Sequence, residues 1–428
     1  MRTPSQSVAP FLGVSLVCLA CGPGMEAESP RSDAANQWLT RAKTSLRSGD
    51  FEDAGESARR AVLTAPKDDE VRIIGAKMAL AELNFDEAIR LASGLPQSEA
   101  KRLLARALWY KGSYETCADI LEGLLQDPAV KDPWVNQVAK LARRAQGRTP
   151  FAMEGGYIAA VETPRQIGDA FVMPLNVVPI ELEGERVLAV VSTAVSELVI
   201  DSATRKDPEW VSIRFDRIEV RDVPALTQDL APLSRQLRVP IRALIGTNFL
   251  RHLNATIDRR GDQFVVRREE AHAPPEASRV PLWYPLGATI AMRASVTKND
   301  ADAASFLVNT QLPLSLGLTT QEWKKAGFEL KALTEVPGSD GLRSGTLKSF
   351  RFAGFDLGGL PAFAGVPVDD KLGIDFAGVI GSDLLMNFRI TFGNEGRFAW
   401  IEPDPSMASP RPATTEPTRT EPKGPTKP

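Results

Sequence analysis

Two stretches of this 428-residue chain place hydroxyl and amide side chains directly after an apolar, strand-like run. Ser192, Thr193 and Ala194 follow VLAVV, and Asn309, Thr310 and Gln311 follow SFLV. Such groups donate and accept hydrogen bonds, but near neutral pH a serine hydroxyl is no base and a carboxamide does not titrate. They suit holding a ligand or a loop rather than moving a proton. Acid chemistry would have to come from Asp201, further along the first stretch, or from Asp383, well beyond the second. With two histidines and three cysteines in the whole chain, no transition-metal site and no cofactor are expected.

The segments that follow each stretch also match. IRFDRIEVRDVPAL at 213–226 pairs with FRFAGFDLGGLPAF at 350–363, with Arg214, Phe215, Pro224 and Ala225 matching Arg351, Phe352, Pro361 and Ala362 at one constant offset. ALIGTNFLRHLNATID at 243–258 pairs with GVIGSDLLMNFRITFG at 378–393, with Ile245, Gly246, Leu250 and Thr256 matching Ile380, Gly381, Leu385 and Thr391 at a second constant offset. Ordered pairs at nearly fixed spacing are what an internal duplication leaves. Short alternating apolar runs punctuated by Gly, Pro and Asp make both copies all-β.

Each copy resembles one lobe of a retropepsin-like or pepsin-like aspartic protease. In that family an apolar pair runs into Asp-Thr-Gly, and a later apolar pair precedes Gly, a variable residue, Asp or Asn, and Leu, as at 244–250 and 379–385. The resemblance implies a catalytic acid at positions 192 and 309, where this chain has Ser192 and Asn309. Two neighbouring carboxylates that share one proton are what the family's chemistry requires. Losing both implies a pseudo-protease with no catalytic residue at the degenerate positions Ser192, Thr193, Ala194, Asn309, Thr310 and Gln311. Thr193 and Thr310 remain, and in the family these threonines hydrogen-bond across the lobes. Gly246 and Gly381 are expected to allow close backbone approach beside the two loops. Asp201 is the weaker alternative acid, since Gly184 stands at the family's turn spacing before Ser192 and not before Asp201. Asp383 is the other. The second copy is longer, and its extra TEVPGSDGLRSGT at 334–346 implies a flap-like hairpin with Gly338, Ser339, Asp340 and Gly341 at its tip.

Residues 32–147 read as helix. Phe51, Phe85 and Tyr114 recur near the tetratricopeptide period, and Ala54, Ala58, Ala61 and Pro66 fall where that family has its small packing residues and terminal proline. Arg2, the apolar FLGVSLVCLA at 11–20 and Cys21 read as a bacterial secretion signal that resembles a lipobox, with Cys21 as the lipidated residue and Gly22 implying an outer-membrane destination. Only Cys117 would remain, so no intrachain disulfide is expected. Residues 403–428, rich in Pro, Thr, Lys and Glu, carry too little apolar surface to fold. A net charge of −3 with no basic run argues against nucleic-acid binding.

The expected organisation is multidomain. A signal peptide at 1–21 and a tether at 22–31 precede all-α tetratricopeptide-like repeats at 32–147. All-β lobes follow at 150–270 and 280–402, then a Pro/Thr-rich tail. The expected function is a non-catalytic envelope lipoprotein whose inter-lobe cleft takes a peptide or protein by strand addition, while the helical array takes a protein partner. A residual peptidase using Asp201 or Asp383 and a purely structural envelope lipoprotein stay open as alternatives.

Overall fold

The computed structural model describes residues 31–172, 174–368 and 372–403. The expected signal peptide, the acylated Cys21 and nearly all of the tether and tail lie outside these residues. Seven helices come first: α1 Asp33–Arg47, α2 Phe51–Thr64, α3 Asp69–Ala81, α4 Phe85–Ala92, α5 Ser98–Lys111, α6 Tyr114–Leu125 and α7 Pro133–Arg143. Local sequence sets their starts. Ser32, Asp50, Asp68 and Asn84 each accept a hydrogen bond from the backbone amide three residues on, satisfying a donor the helix leaves free. Gly112 ends α5 in the left-handed region, at φ +88°, where a side chain would be strained. Ala54, Ala58 and Ala61 of α2 and Ala76 and Ala79 of α3 are buried, so the helices approach closely.

The rest of the chain is β-rich, with strands between Ala152 and Pro403. Short helices at Ala231–Leu237, Thr247–His252, Thr320–Lys325 and Ser382–Leu385 modify the expectation of purely β lobes. Two sheets repeat one arrangement. In the first, Leu198–Asp201 lies between Ile218–Gln228, which it parallels, and Ile241–Ile245, which it opposes. Ile241–Ile245 in turn parallels Glu185–Val191. In the second, Leu316–Leu318 lies between the parallel Leu360–Ala364 and the antiparallel Gly378–Gly381, and Gly378–Gly381 parallels Ala304–Asn309. The matched sequence segments therefore occupy matched strands.

A third sheet joins the two halves. Its order is Ser278–Pro281, Phe398–Pro403, Phe388–Gly393, Thr256–Asp258, Gln263–Arg267 and Ile158–Glu162. Thr256 faces Thr391 across it, and their hydroxyls lie 2.8 Å apart. One buried core runs continuously through the inner faces of all three sheets.

The helical array packs against both halves. Phe51 at the start of α2 stacks on Trp283, with ring centroids 5.4 Å apart and planes 13° apart. The Ser305 hydroxyl donates to the Gly49 carbonyl at 2.5 Å, and the Tyr284 amide donates to the Ala81 carbonyl at 2.9 Å. At the other end Gln137 of α7 exchanges two hydrogen bonds with the backbone of Thr227, and the Trp210 indole donates to the Leu141 carbonyl. Part of the array's surface is thus occupied by the chain's own strands.

Candidate functional site

Parallel pairing sets the strand ends that carry the two loops, Val191 beside Ile245 in one half and Val308 beside Ile380 in the other. What joins them is a reciprocal hydrogen-bond lock. The Thr193 amide donates to Thr310 Oγ1 at 3.0 Å, and the Thr310 amide donates to Thr193 Oγ1 at 3.1 Å. Each hydroxyl then donates to a carbonyl of the opposite strand, Thr193 to Val308 at 2.6 Å and Thr310 to Val191 at 2.7 Å. Both threonines are buried. A hydroxyl can accept and donate at once on a short side chain, which is why threonine suits both positions.

Immediately before the two threonines sit Ser192 and Asn309. Ser192 is buried, its Oγ accepts from the Ala194 amide at 3.3 Å, and its own amide donates to the Ile245 carbonyl. Asn309 is half-buried, and its Oδ1 accepts from the Gln311 amide at 3.0 Å. Each side chain thus turns back on its own loop. Ala194 is exposed and Gln311 half-buried on the same two turns. The pair offers a hydroxyl and a carboxamide, neither of which shares a titrating proton.

The glycines beside the loops are sterically required. A Cβ on Gly246 would lie 2.1 Å from the Glu197 carbonyl oxygen, and one on Gly381 would lie 2.0 Å from the Leu314 carbonyl oxygen. The amides that follow complete the junction, Thr247 donating to Val195 and Asn248 to Ser196, with Ser382 donating to Leu312 in the second half.

Both alternative acids are tied into structure. Asp201 is buried, 2.7 Å from Arg242, and accepts from the amides of Ala203 and Leu230. Burial pushes its carboxyl up, but the Ala203 amide, Arg242 and the Leu230 amide outweigh that and hold it below the usual range. Its oxygens are thus committed to Arg242 and to two backbone amides. Asp383 accepts a short hydrogen bond from Ser315. Asp258 closes its strand end, pairing with Arg389 at 2.7 Å and accepting from the Gly261 amide.

Gly338, Ser339, Asp340 and Gly341 lie in the turn between strands Thr334–Glu335 and Arg343–Leu347, with both glycines at φ +75°. The Val336 amide donates to the Leu342 carbonyl, closing the hairpin, and Gly338, Asp340 and Gly341 are exposed. In the first half a turn between Asp201 and Glu209 stands in its place.

Among the described residues, no group of three or more His, Cys, Asp or Glu side chains could hold a metal, and no helix is long and apolar enough to cross a membrane. Cys117 is buried and unpaired, its Sγ donating to the Ala105 carbonyl. Sequence reasoning did not find Glu197, the third residue after Ala194, which is buried and hydrogen-bonded to Asn248 at 2.9 Å. Its one sequence signal is a charge inside a strand-like apolar run.

No family model and no curated protein matches the chain. Among solved structures, a retropepsin-like aspartic protease from Rickettsia conorii aligns over 31% of this chain and 95% of its own, at 18% identity and a TM-score of 0.23. An aspartic proteinase from Irpex lacteus aligns over 59% of this chain and 99% of its own, at 10% identity and a TM-score of 0.38. The chain is thus a helical N-terminal region followed by a β-rich region whose structural neighbours are aspartic proteases.

Proposed function

We propose that this protein is a non-catalytic, aspartic-protease-like binding protein of the bacterial envelope, in which two duplicated lobes grip an extended peptide or protein segment in the cleft between them. One observation carries the reading. The Thr193–Thr310 lock is complete, while the residues before it, Ser192 and Asn309, supply no acid. Positioned acid-base groups contribute roughly 10² to 10⁴ in rate each, so a site lacking both has little route to hydrolysis. The loops, the flap-like hairpin at 334–346 and the exposed turn residues remain suited to backbone recognition by strand addition. In this reading the helical array is tetratricopeptide-like. Its first two repeats leave open a groove of about 320 Å³ lined by Ala58, Val62, Gly75, Met78 and Leu91, available to a protein partner. Cys21 serves as the lipid anchor at the outer membrane.

The test is fluorescence anisotropy of the purified protein with a labelled, unfolded casein, at acidic and neutral pH, with the probe's integrity followed in parallel. Saturable binding without cleavage, weakened by Ala194→Arg at the exposed turn, is the expected result. Pepstatin-sensitive cleavage abolished by Asp201→Asn or Asp383→Asn would instead establish a peptidase. Absence of binding to any unfolded probe would favour a structural envelope role.

A further inference from the structure

The junction between the helical array and the first half contains a buried charge cluster that the cleft itself does not need. Glu197 is 1% exposed and receives one hydrogen bond, from the Asn248 carboxamide, while its Oε1 has no partner. Two guanidinium groups lie near, and both are turned to other partners. Arg106 of α5 stacks over the Trp134 ring of α7 at 4.1 Å and leaves Nη1 unpartnered. Arg251 is bonded through Nε and Nη2 to Asn248 Oδ1 and lies over the rings of Phe85 and Tyr110. Among the described residues no ion pair forms on Glu197. A carboxylate held this way has lost its water and faces only the neutral Asn248 carboxamide and Trp134 indole besides the two guanidinium groups, so burial outweighs the help from Asn248, Trp134, Arg106 and Arg251 and pushes its carboxyl up.

We propose that Glu197 is a protonation-operated latch between the array and the loop that carries Ser192 and Thr193. When neutral it lets α5 and α7 close on that loop, and when ionised it loosens the closure. Geometry makes the link, because Asn248, which donates to Glu197 on the loop, also holds Arg251 over the rings of Phe85 of α4 and Tyr110 of α5 in the array. Asn248 and Arg251 come from the helix that follows Gly246. The other titratable groups facing it stay fixed. Tyr110 of α5 and Tyr114 of α6 are raised by burial and then by Glu197's own charge, and Cys117 of α6 is pushed up to about 12 by the same two causes. Arg251, though pushed down by burial, is a guanidinium and keeps its charge. His252, on the same helix as Arg251 but stacked on Phe151 at 4.0 Å, is pushed down to about 3 by burial and then by Arg251. A group whose buried pKa is raised favours the closed form at low pH and loses that contribution as pH rises. The latch rests on the cleft reading only for its consequence, firmer gripping in acid.

Hydrogen exchange on the full chain tests it without any ligand, with rates corrected for the intrinsic dependence on pH. For amides of α5, α7 and 192–201, the ratio of the parent's opening constant to that of Glu197→Gln should climb about tenfold per pH unit from about pH 4.3 up to the buried midpoint, then level off. His252 contributes with opposite sign in both proteins, so their difference isolates Glu197. Equal profiles in the two proteins overturn the latch and leave the cleft reading standing, while a latch seen without peptide binding does the reverse. If Glu197→Gln fails to fold, Arg106→Met decides instead. Removing this cation should move the levelling point to higher pH, and an unmoved profile overturns the proposal.

Discussion

Replacing Thr193 by Val keeps shape and volume and removes one hydroxyl. That hydroxyl makes two of the four bonds of the lock, donating to the Val308 carbonyl and accepting from the Thr310 amide. Both abandoned groups are buried between the halves. A buried donor or acceptor left unsatisfied costs roughly 1–3 kcal/mol, so the substitution, which strands two, should destabilise by about 2–6 kcal/mol. Thr310→Val removes the other two bonds and should cost about the same. The two sites are coupled, because parting the halves at either one admits water to both. The double variant should therefore fall short of the sum by about 0.5–3 kcal/mol. Thr193→Ser keeps the oxygen, and its cost should stay below that of the valine variant. Urea unfolding followed by tryptophan fluorescence and circular dichroism gives all four values. If both valine variants lie within about 0.5 kcal/mol of the parent, as an ordinary surface change would, the lock does not hold the halves together and the argument fails.

Asp201→Asn should lower stability near neutral pH and flatten the loss on acidification. The parent carboxylate, held below its usual range, contributes above its unfolded pKa of about 3.9 and loses that contribution as pH falls; urea midpoints across the acid range check this. His252 is buried as the neutral imidazole, so its contribution is complete above about pH 6.5 and declines below it. His252→Leu should remove that decline, read as melting temperature against pH. Gly381→Ala forces a Cβ against the Leu314 carbonyl oxygen, which is backbone and cannot swing aside, and should cost about 3 kcal/mol or more. Gly338→Ala places a side chain at φ +75° in open space, and should cost no more than about 1 kcal/mol of turn strain.

Much of the β region was legible because the same strand pattern is written twice in the sequence. Thr256 and Thr391, matched in sequence, turn out to be direct neighbours across the joining sheet. The helix boundaries were legible because Gly, Asn and Asp sit where backbone groups need caps or positive φ. The docking of the array was not. Phe51 reads as a repeat packing residue, and nothing local says that its ring meets Trp283. Glu197 was missed for the same reason, since its surroundings are supplied by α5, α7 and the helix Thr247–His252, which lie far apart along the chain. The helix Ala231–Leu237 was missed because its LAPLSRQL segment lacks a side-chain cap.

The order of strands in the joining sheet has a kinetic meaning. Phe388–Gly393 and Phe398–Pro403, the last strands of the described chain, lie in its middle, between Thr256–Asp258 and Ser278–Pro281. Until these final segments arrive, both neighbours present bare edges of the kind that recruit other chains. The sheet can close only after residue 403 has been made, and such non-local pairing is slow. A nascent copy therefore passes through a period of exposed edges, and truncation before residue 388 should yield an aggregating chain rather than a smaller working one.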